Sequence, residues 1–258
     1  LLHETPSNYD INRTTWKMDD FKDILAKNGH PACPDVIRTI TKSAGYRWRK
    51  ARIVLTSQDP DYREKLERIQ DILRNLKSDE AFFSIDEFGP FAIKTKGGRK
   101  LVGPKENFTV PQWQKSKGCL IMTAALELSK NQVTHFYSDK KNTDEMIKLV
   151  DILIEKYKGY RMLWLSWDAA SWHISKKLYE HIEAANVMAI VTGSPKIDTE
   201  PLPAGAQFLN VIESVFSGFA RSVVHNSDYK SVDEAKDAFD RYFAERNEQF
   251  LRNPRRAG

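Results

Sequence analysis

Cysteine is scarce in this sequence, and long apolar runs, repeats and biased segments are missing. The two cysteines, Cys33 and Cys119, lie far apart with no motif that would pair them. This excludes a disulfide scaffold and predicts reduced thiols in a cytoplasmic setting. No apolar run reaches the ~18–20 residues of a membrane-spanning helix, and no signal peptide is visible. The sequence is that of an ordinary globular protein with no membrane partner.

The length and the charge distribution narrow the class of protein further. A chain of 258 residues can form one large domain and a small one. The net charge of +5 is a mild excess that fits a nucleic-acid partner. The bases are concentrated between Val36 and Arg52, where there are six and no acid. The chain begins at Leu1 rather than Met, so we expect its native start to lie upstream.

Residues 12–46 have the pattern of two short helices separated by a turn. Apolar residues recur at helical spacing around Phe21 and Ile24, and the run Asn28-Gly-His-Pro31 ends that helix. A second, basic helix begins near Pro34 and ends at Gly45. Residues 1–52 are therefore predicted to form a helix-turn-helix domain, incomplete at its N-terminus, although a generic helical pair fits the spacing equally well.

Bases alternate with aromatic residues in Tyr46-Arg-Trp-Arg-Lys-Ala-Arg52, just after the second helix. Such a segment can follow a phosphate backbone, and the alternative is a solvated linker. The predicted DNA contacts are Arg38, Lys42, Arg47, Arg49, Lys50 and Arg52, with a weaker second patch at Lys94, Lys96, Arg99 and Lys100.

The rest of the chain is predicted as a linker helix in residues 53–79 and a mixed α/β domain in residues 80–258. We expect strands at 82–85, 119–128, 133–137, 161–167 and 187–191, and a hairpin pairing 91–96 with 100–102. We expect helices at 142–157, 175–184, 208–224 and 232–251, and a loop at 192–203. Strands first, then alternating helices and strands, then helices is the order of a ribonuclease-H-like fold, in which the first and fourth strands are neighbours.

Three acids occupy distinctive places in this order. Asp86 ends the first strand, Asp168 ends the fourth, and Glu213 lies on a later helix. The fold would bring them to one end of the sheet. Carboxylate oxygens are the ligands that Mg²⁺ prefers, and two such ions support the transfer of phosphodiester bonds. The sequence therefore predicts catalytic, metal-binding roles for Asp86, Asp168 and Glu213.

Neighbouring polar residues compete with these acids or support them. Strand alternation places Glu87 on the sheet face opposite Asp86, which leaves it a supporting contact or a DNA contact. Asp198 and Glu200 compete with Glu213, but the predicted loop is a poor platform for a precise ligand. His173 could orient the site, contact DNA or be an ordinary hydrogen-bonded structural histidine.

Three segments carry motifs in a fixed order. They are Phe83-Ser-Ile-Asp-Glu-Phe-Gly89, Asp168-Ala-Ala-Ser-Trp-His173, and Leu202-Pro203 followed by Leu209-Asn-Val-Ile-Glu213. Together they resemble the motifs of DDE transposases of the Tc/mariner superfamily, in its bacterial insertion-sequence branch. The resemblance extends upstream through residues 11–16, 45–50 and 57–62, and so covers nearly the whole chain.

This resemblance implies a transposase that binds double-stranded DNA at terminal inverted repeats and at a TA target. It also implies two Mg²⁺ or Mn²⁺ ions in each active site, a homodimer and a bacterial cell, and it adds Asn210 as a residue supporting the site. The sequence departs from the family at Ala169 and Val211, where Asn and Pro are usual, and in a longer gap before Glu213, which we place in a loop at 192–201.

Two other functions share much of this chemistry. A decayed or domesticated transposase would keep the fold and bind DNA without cleaving it; the three acids argue against it, whereas Ala169 and Val211 argue for it. A ribonuclease acting on RNA–DNA hybrids would use the same acids. The helix-turn-helix segment argues against that function, because hybrid cleavage needs no sequence-specific module.

Overall fold

The computed structural model describes residues 1–51 and 54–257, so the predicted DNA contact Arg52 lies outside the described residues. The chain divides into two units, Leu1–Val54 and Leu55–Gly258. Among the helices of the described residues, none combines the length and the apolar character that a membrane span requires.

The N-terminal unit is helical, as predicted. A short 3₁₀ helix at Pro6–Tyr9 precedes α1 (Met18–Lys27) and α2 (Pro34–Ser43). The side chains of Phe21 and Ile24 from α1 and Ile37 from α2 are buried between the helices. Trp16 stacks on Phe21 with ring centroids 4.8 Å apart, which closes this small core.

The second unit consists of one mixed sheet with helices on both faces. Its elements in chain order are α3 (Tyr62–Asn75), β1 (Glu80–Ala92), β2 (Cys119–Glu127), β3 (Gln132–Ser138), α4 (Thr143–Lys156), β4 (Met162–Ser166), α5 (Lys176–Thr192), β5 (Lys196–Thr199), α6 (Ile212–Phe219) and α7 (Val232–Arg252). A 3₁₀ turn at Gln207–Leu209 precedes α6, and a π-helical turn at Ala220–Val224 follows it.

The strand order is β3-β2-β1-β4-β5. β1 is antiparallel to β2 and parallel to β4, with Glu80–Ser84 paired to Met162–Ser166. The prediction that the first and fourth strands are neighbours is therefore confirmed. This parallel ladder sets the positions of the residues that follow it in both strands.

Alternate residues of β1 face two separate apolar cores. Ala81, Phe83 and Ile85 pack with α4 and α5 on one face, while Phe82 packs with α6 and α7 on the other. Because successive side chains of a strand point to opposite faces, Asp86 shares the face of α6 and Glu87 shares the face of α4 and α5.

Two predicted elements near the fifth strand are wrong. Residues 187–191 form the end of α5 rather than a strand, because nothing interrupts the helix until Gly193, which ends it at a φ of +71°. The true fifth strand, β5, lies inside the segment predicted as a loop, where Ile197 is buried and pairs with Leu163. The expected loop at 192–201 is therefore partly a strand.

The predicted hairpin between 91–96 and 100–102 is also wrong. Phe91 and Ala92 belong to β1, and Ile93 continues its pairing because its amide donates to the Gly118 carbonyl at 2.9 Å. Leu101 is almost fully exposed, so no apolar contact holds a second strand there. Residues 93–118 form an irregular excursion between β1 and β2.

Candidate active site

Asp86 and Asp168 are placed by the ladder between β1 and β4. The last pair of the ladder is Ser84 with Ser166, and each aspartate follows its serine by two residues. The prediction that Asp86 ends its strand is wrong. β1 continues to Ala92, because its pairing with β2 goes on past the point where β4 stops.

The carboxylate of Asp86 is held by two donors. The amide of Glu87 donates to its Oδ1 at 2.7 Å, and Asn210 Nδ2 donates to its Oδ2 at 3.0 Å. Asn210 is only 4% exposed, and its Oδ1 accepts from Ser84 Oγ. Ser84 in turn accepts from the amide of Ile212 at 3.1 Å. The start of α6 is thus fastened to β1 directly beside Asp86.

Glu213 lies in the first turn of α6 with its side chain exposed. Its amide donates to the Asn210 carbonyl at 3.1 Å. The hydrogen bond from the Ile212 amide to Ser84 Oγ therefore also fixes the position of the Glu213 backbone. Val211, one of the departures from the family, leaves these bonds intact.

The environment of Asp86 disfavours the charged form of its carboxyl group. Burial raises its pKa, the charges of Glu213, Glu87 and Asp168 add to the effect, and the pKa reaches about 7 even though the Glu87 amide opposes it. A site whose acids repel one another in this way would be stabilised by a cation.

A buried histidine connects Asp168 to Glu87. His173 Nδ1 lies 2.9 Å from Asp168 Oδ1, and His173 Nε2 lies 2.9 Å from Glu87 Oε1. Burial lowers the pKa of His173, but hydrogen bonds and charges from the two acids outweigh it and raise the pKa to about 9. The hydrogen bond from His173 is also the main reason that the pKa of Asp168 is lowered. A charged His173 with both nitrogens donating accounts for this arrangement.

Glu87 and His173 are shielded from solvent, with side chains 3% and 1% exposed. Trp172 Nε1 also donates to Glu87 Oε1, at 3.1 Å. Their burial corrects the expectation of a DNA contact for either residue. Both residues instead lie on the sheet face opposite the one that carries Asp86, where His173 links Glu87 to Asp168.

The structure separates the competing acids from this site. Asp198 lies in β5, paired with Trp164 rather than with the end of β4. Glu200 is buried, and its Oε1 accepts from Arg68 Nε at 2.6 Å. Asp198 therefore lies in a strand rather than in the predicted loop, whereas Glu200 directly follows that strand. Glu200 already has a cationic partner, whereas the charge of Glu213 helps to raise the pKa of Asp86.

The predicted DNA contacts fall into both units. Arg38 and Lys42 are exposed on α2, and Arg47, Arg49 and Lys50 are exposed in the segment after it. The second patch belongs to the irregular excursion after β1. There Lys96 Nζ lies 4.9 Å from the centre of the Phe91 ring and Lys100 Nζ lies 4.9 Å from that of Phe108, while Lys94 and Arg99 lie alongside in sequence.

Sequence reasoning missed two contributors to the site. Ser84 precedes Asp86 by two residues, so it shares a sheet face with Asp86, and this spacing could have identified it. Lys141 donates from Nζ to the Glu87 carbonyl at 3.1 Å, and its charge helps to lower the pKa of Asp168. Lys141 belongs to the turn after β3, and no sequence signal points to it.

The donor set fits a hard divalent cation, although it is not a closed cage. Within residues 1–51 and 54–257, no group of three or more His, Cys, Asp or Glu side chains is arranged to hold a metal ion. Mg²⁺ needs no such group, since it keeps several waters and takes one or two protein carboxylates together with substrate phosphate. The carboxylates of Asp86 and Asp168, which repel each other and lie just beyond the ladder that joins β1 and β4, suit that chemistry.

Comparisons with known proteins identify the family and the fold. Residues 78–236 match the family described as DDE superfamily endonuclease. The fold is similar to that in a Mos1 transposase paired-end complex with the left transposon end, at a TM-score of 0.60 and 12% identity over 91% of this chain and 73% of that one. A Mos1 mariner paired-end complex with Mn gives 0.57 and 13% over 93% and 75%. The corresponding complex with Mg gives 0.57 and 12% over 91% and 73%.

At these identities the structural matches concern the fold, and they confirm the predicted ribonuclease-H-like core. A search among curated protein sequences finds no match to this chain.

Proposed function

The chain belongs to the DDE superfamily endonucleases, and we propose that it is a DNA transposase of the Tc/mariner type, in its bacterial insertion-sequence branch. It would bind the terminal inverted repeats of an element through residues 1–52, cut the element ends and join them to a TA target. The observation that carries this proposal is the placement of Asp86 and Asp168 at equal positions beyond the β1–β4 ladder, with Glu213 brought alongside by Asn210 and Ser84.

We assign metal binding to Asp86, Asp168 and Glu213, with two Mg²⁺ or Mn²⁺ ions in each site. The bound ions would activate the attacking oxygen and neutralise the leaving oxygen. Asn210 would keep Asp86 turned towards the substrate, and His173 would do the same for Asp168. Both supporting side chains are buried and hydrogen-bonded, and a precise site requires supports that are held in this way.

The proposed reaction exchanges one phosphate ester for another. In cleavage, a water oxygen attacks the phosphorus of the scissile phosphodiester, and the bond to the 3′ oxygen breaks. The departing 3′ oxygen takes up a proton and becomes a hydroxyl. In strand transfer that 3′ hydroxyl loses its proton and attacks a phosphorus of the target, which releases a target 3′ hydroxyl. Strand transfer leaves the number of phosphodiester bonds unchanged, whereas cleavage hydrolyses one of them and the attacking water gives up a proton. Neither step needs a covalent bond to the protein.

The remaining parts of the proposal follow from the same family. A homodimer would hold two element ends, and the protein would act in the cytoplasm at the bacterial nucleoid. One of the comparison complexes named above contains the left transposon end, another contains Mn and a third contains Mg, which supports DNA and a divalent ion as partners here.

The test is nicking and strand transfer on a duplex carrying a candidate inverted repeat, with Mg²⁺ or Mn²⁺. Asp168→Asn and Glu213→Gln should each abolish both reactions while DNA binding persists. The matched control is Asp198→Asn, which removes an acid from β5 and should leave activity within about threefold, a difference typical of a surface change. A wild-type protein that binds DNA tightly but never cuts it would instead be the decayed binder.

A further inference from the structure

The outward face of α2 is apolar, although it is exposed. Val36 is 47% exposed and Ile40 is 60% exposed. Because they are four residues apart on a helix, their side chains lie next to each other on one face. Ile37 is the buried residue of α2 and points into the small core. Two neighbouring branched apolar side chains form a small contiguous patch on the solvent face, and contiguous apolar patches are a feature of interaction sites.

The polar side chains of this face are already engaged. Thr39 Oγ1 donates to the Asp35 carbonyl at 2.8 Å, and Ser43 Oγ donates to the Ile40 carbonyl at 2.9 Å. The guanidinium of Arg38 is paired with the Asp35 carboxylate. Once these donors are satisfied by the helix itself, the face presents mainly methyl groups.

The surroundings of this methyl-rich face are positively charged. Asp35 is paired with Arg38, and no acid follows it as far as Lys50, while Lys42 and Arg47 lie beside or just beyond the exposed pair. Arg47 Nη1 donates to the carbonyls of Lys42 and Tyr46, which holds this arginine against the end of α2. A second copy of the same basic surface would be repelled, whereas a polyanion would be attracted.

We propose that Val36 and Ile40 contact the C5-methyl groups of thymines in the major groove, so that α2 selects thymine at one or two positions mainly by apolar contact. This inference rests on the proposed DNA-binding function and specifies its chemistry. The thymine methyl is the apolar group that the major groove offers, and small apolar side chains are its usual partners. The flanking basic side chains would bind phosphates and add affinity without sequence preference.

The test uses the full chain and a labelled duplex that wild-type protein selects from a random library. Each thymine is replaced in turn by uracil, which removes only the methyl group. One or two replacements should weaken binding about fourfold each, the effect of losing one buried methyl group. Val36→Ala with Ile40→Ala should bind the thymine and uracil duplexes equally, whereas Ile40→Val should keep the preference.

The matched control on the same helix is Lys42→Gln. It should weaken binding to both duplexes by the same factor and leave their ratio unchanged. A thymine preference that survives in the double alanine variant would overturn the proposal. So would loss of self-association in that variant, seen by sedimentation velocity, without any change in the preference, because a protein would then be the occupant of this face.

Failure of this inference can be told apart from failure of the transposase proposal. Nicking that proceeds normally without any thymine preference would reject the role of Val36 and Ile40 alone. A thymine preference in a protein that never nicks would reject the transposase and leave the methyl contact standing.

Discussion

Asp86 and Asp168 lie side by side, each two residues beyond the Ser84–Ser166 pair that ends the parallel ladder between β1 and β4. Because side chains alternate along β1, Asp86 also lies on the sheet face covered by α6, and Asn210 donates a hydrogen bond to its carboxylate from that face. Their environments nevertheless shift the two pKa values in opposite directions, because Asp86 is buried among like charges whereas Asp168 has His173 as a partner.

Replacing Asp86 with Asn should stabilise the metal-free protein at alkaline pH. The pKa of Asp86 is about 7 in the folded protein, against about 4 for an unfolded aspartate. The stability linked to this proton is therefore fully present below about pH 4 and is lost as the pH rises through 7. In EDTA at pH 8, urea denaturation should show Asp86→Asn more stable by about 1–3 kcal/mol.

Asp168→Asn is the matched comparison and should act in the opposite direction. The pKa of Asp168 is lowered, mainly by its hydrogen bond with His173, so its charge contributes stability above the unfolded pKa and loses it as the pH falls. Removing that charge at pH 8 should lower the free energy of unfolding. If both variants shifted stability in the same direction, the assignment of unlike environments to the two acids would be wrong.

His173→Ala should be strongly destabilising, because it leaves the buried carboxylate of Glu87 without its cationic partner. Breaking a buried pair by removing one member costs about 3–5 kcal/mol. Adding Glu87→Gln should recover part of that loss, and a double-mutant cycle in urea should give a coupling above about 1 kcal/mol. The control is His181→Ala, whose partner Asp151 is exposed and whose loss should cost under about 1 kcal/mol.

Asn210→Ala should weaken metal binding more than it weakens folding. Asp86 would keep the hydrogen bond from the Glu87 amide to its Oδ1 but lose the hydrogen bond from Asn210 to its Oδ2. Loss of such a supporting contact typically costs 10–100-fold in metal affinity, and one buried hydrogen bond about 1–2 kcal/mol in stability. Free Mn²⁺ measured by electron paramagnetic resonance would report the affinity. An affinity within twofold of wild type would show that Asn210 does not orient Asp86.

The parts of the fold that could be predicted are those with unambiguous periodicity. The helix at Thr143–Lys156 and the strands at Cys119–Glu127 and Met162–Ser166 were predicted within a few residues. Residues 187–191 were not, because a short apolar run has the composition of both a strand and a buried helix segment. In the structure the run continues the preceding helix with most of its side chains exposed, so neither sheet pairing nor burial could have been read from its composition.

The candidate site divides in the same way. Strand alternation alone put Asp86 and Glu87 on opposite faces, as the structure has them. It could not supply the partner of Glu87, because His173 reaches it across the sheet from a turn beyond β4. Contacts between segments far apart in sequence, such as Asn210 with Asp86, need the register of the ladder as well as the pattern of each strand.

The basic residues after α2 should each contribute separately to the salt dependence of DNA binding. Arg47→Gln, Arg49→Gln and Lys50→Gln should each reduce the slope of log K against log salt by about 0.9 if each neutralises one phosphate. Trp48→Ala removes an aromatic ring that is 66% exposed, and should weaken binding without changing the slope. Lys158→Gln, an exposed base paired with Glu155, is the control and should change neither. An unchanged slope in all three variants would remove this segment from the DNA-binding surface.

Gly89 is required by the backbone three residues beyond Asp86. Its φ is +110°, and a Cβ there would lie 2.7 Å from the Leu120 carbonyl oxygen and 2.9 Å from the Phe91 amide nitrogen. The register between β1 and β2 shifts at this point, between Phe88 and Phe91. Because both neighbours are backbone atoms, they cannot move aside without displacing the strands.

Gly89→Ala should therefore cost about 2–4 kcal/mol in urea denaturation, the sum of an unfavourable φ and a backbone clash. Gly97→Ala is the matched control, since a Cβ there would meet only a Val110 methyl at 3.5 Å, an ordinary contact. If the first variant were no less stable than the second, β1 could shift its register without loss.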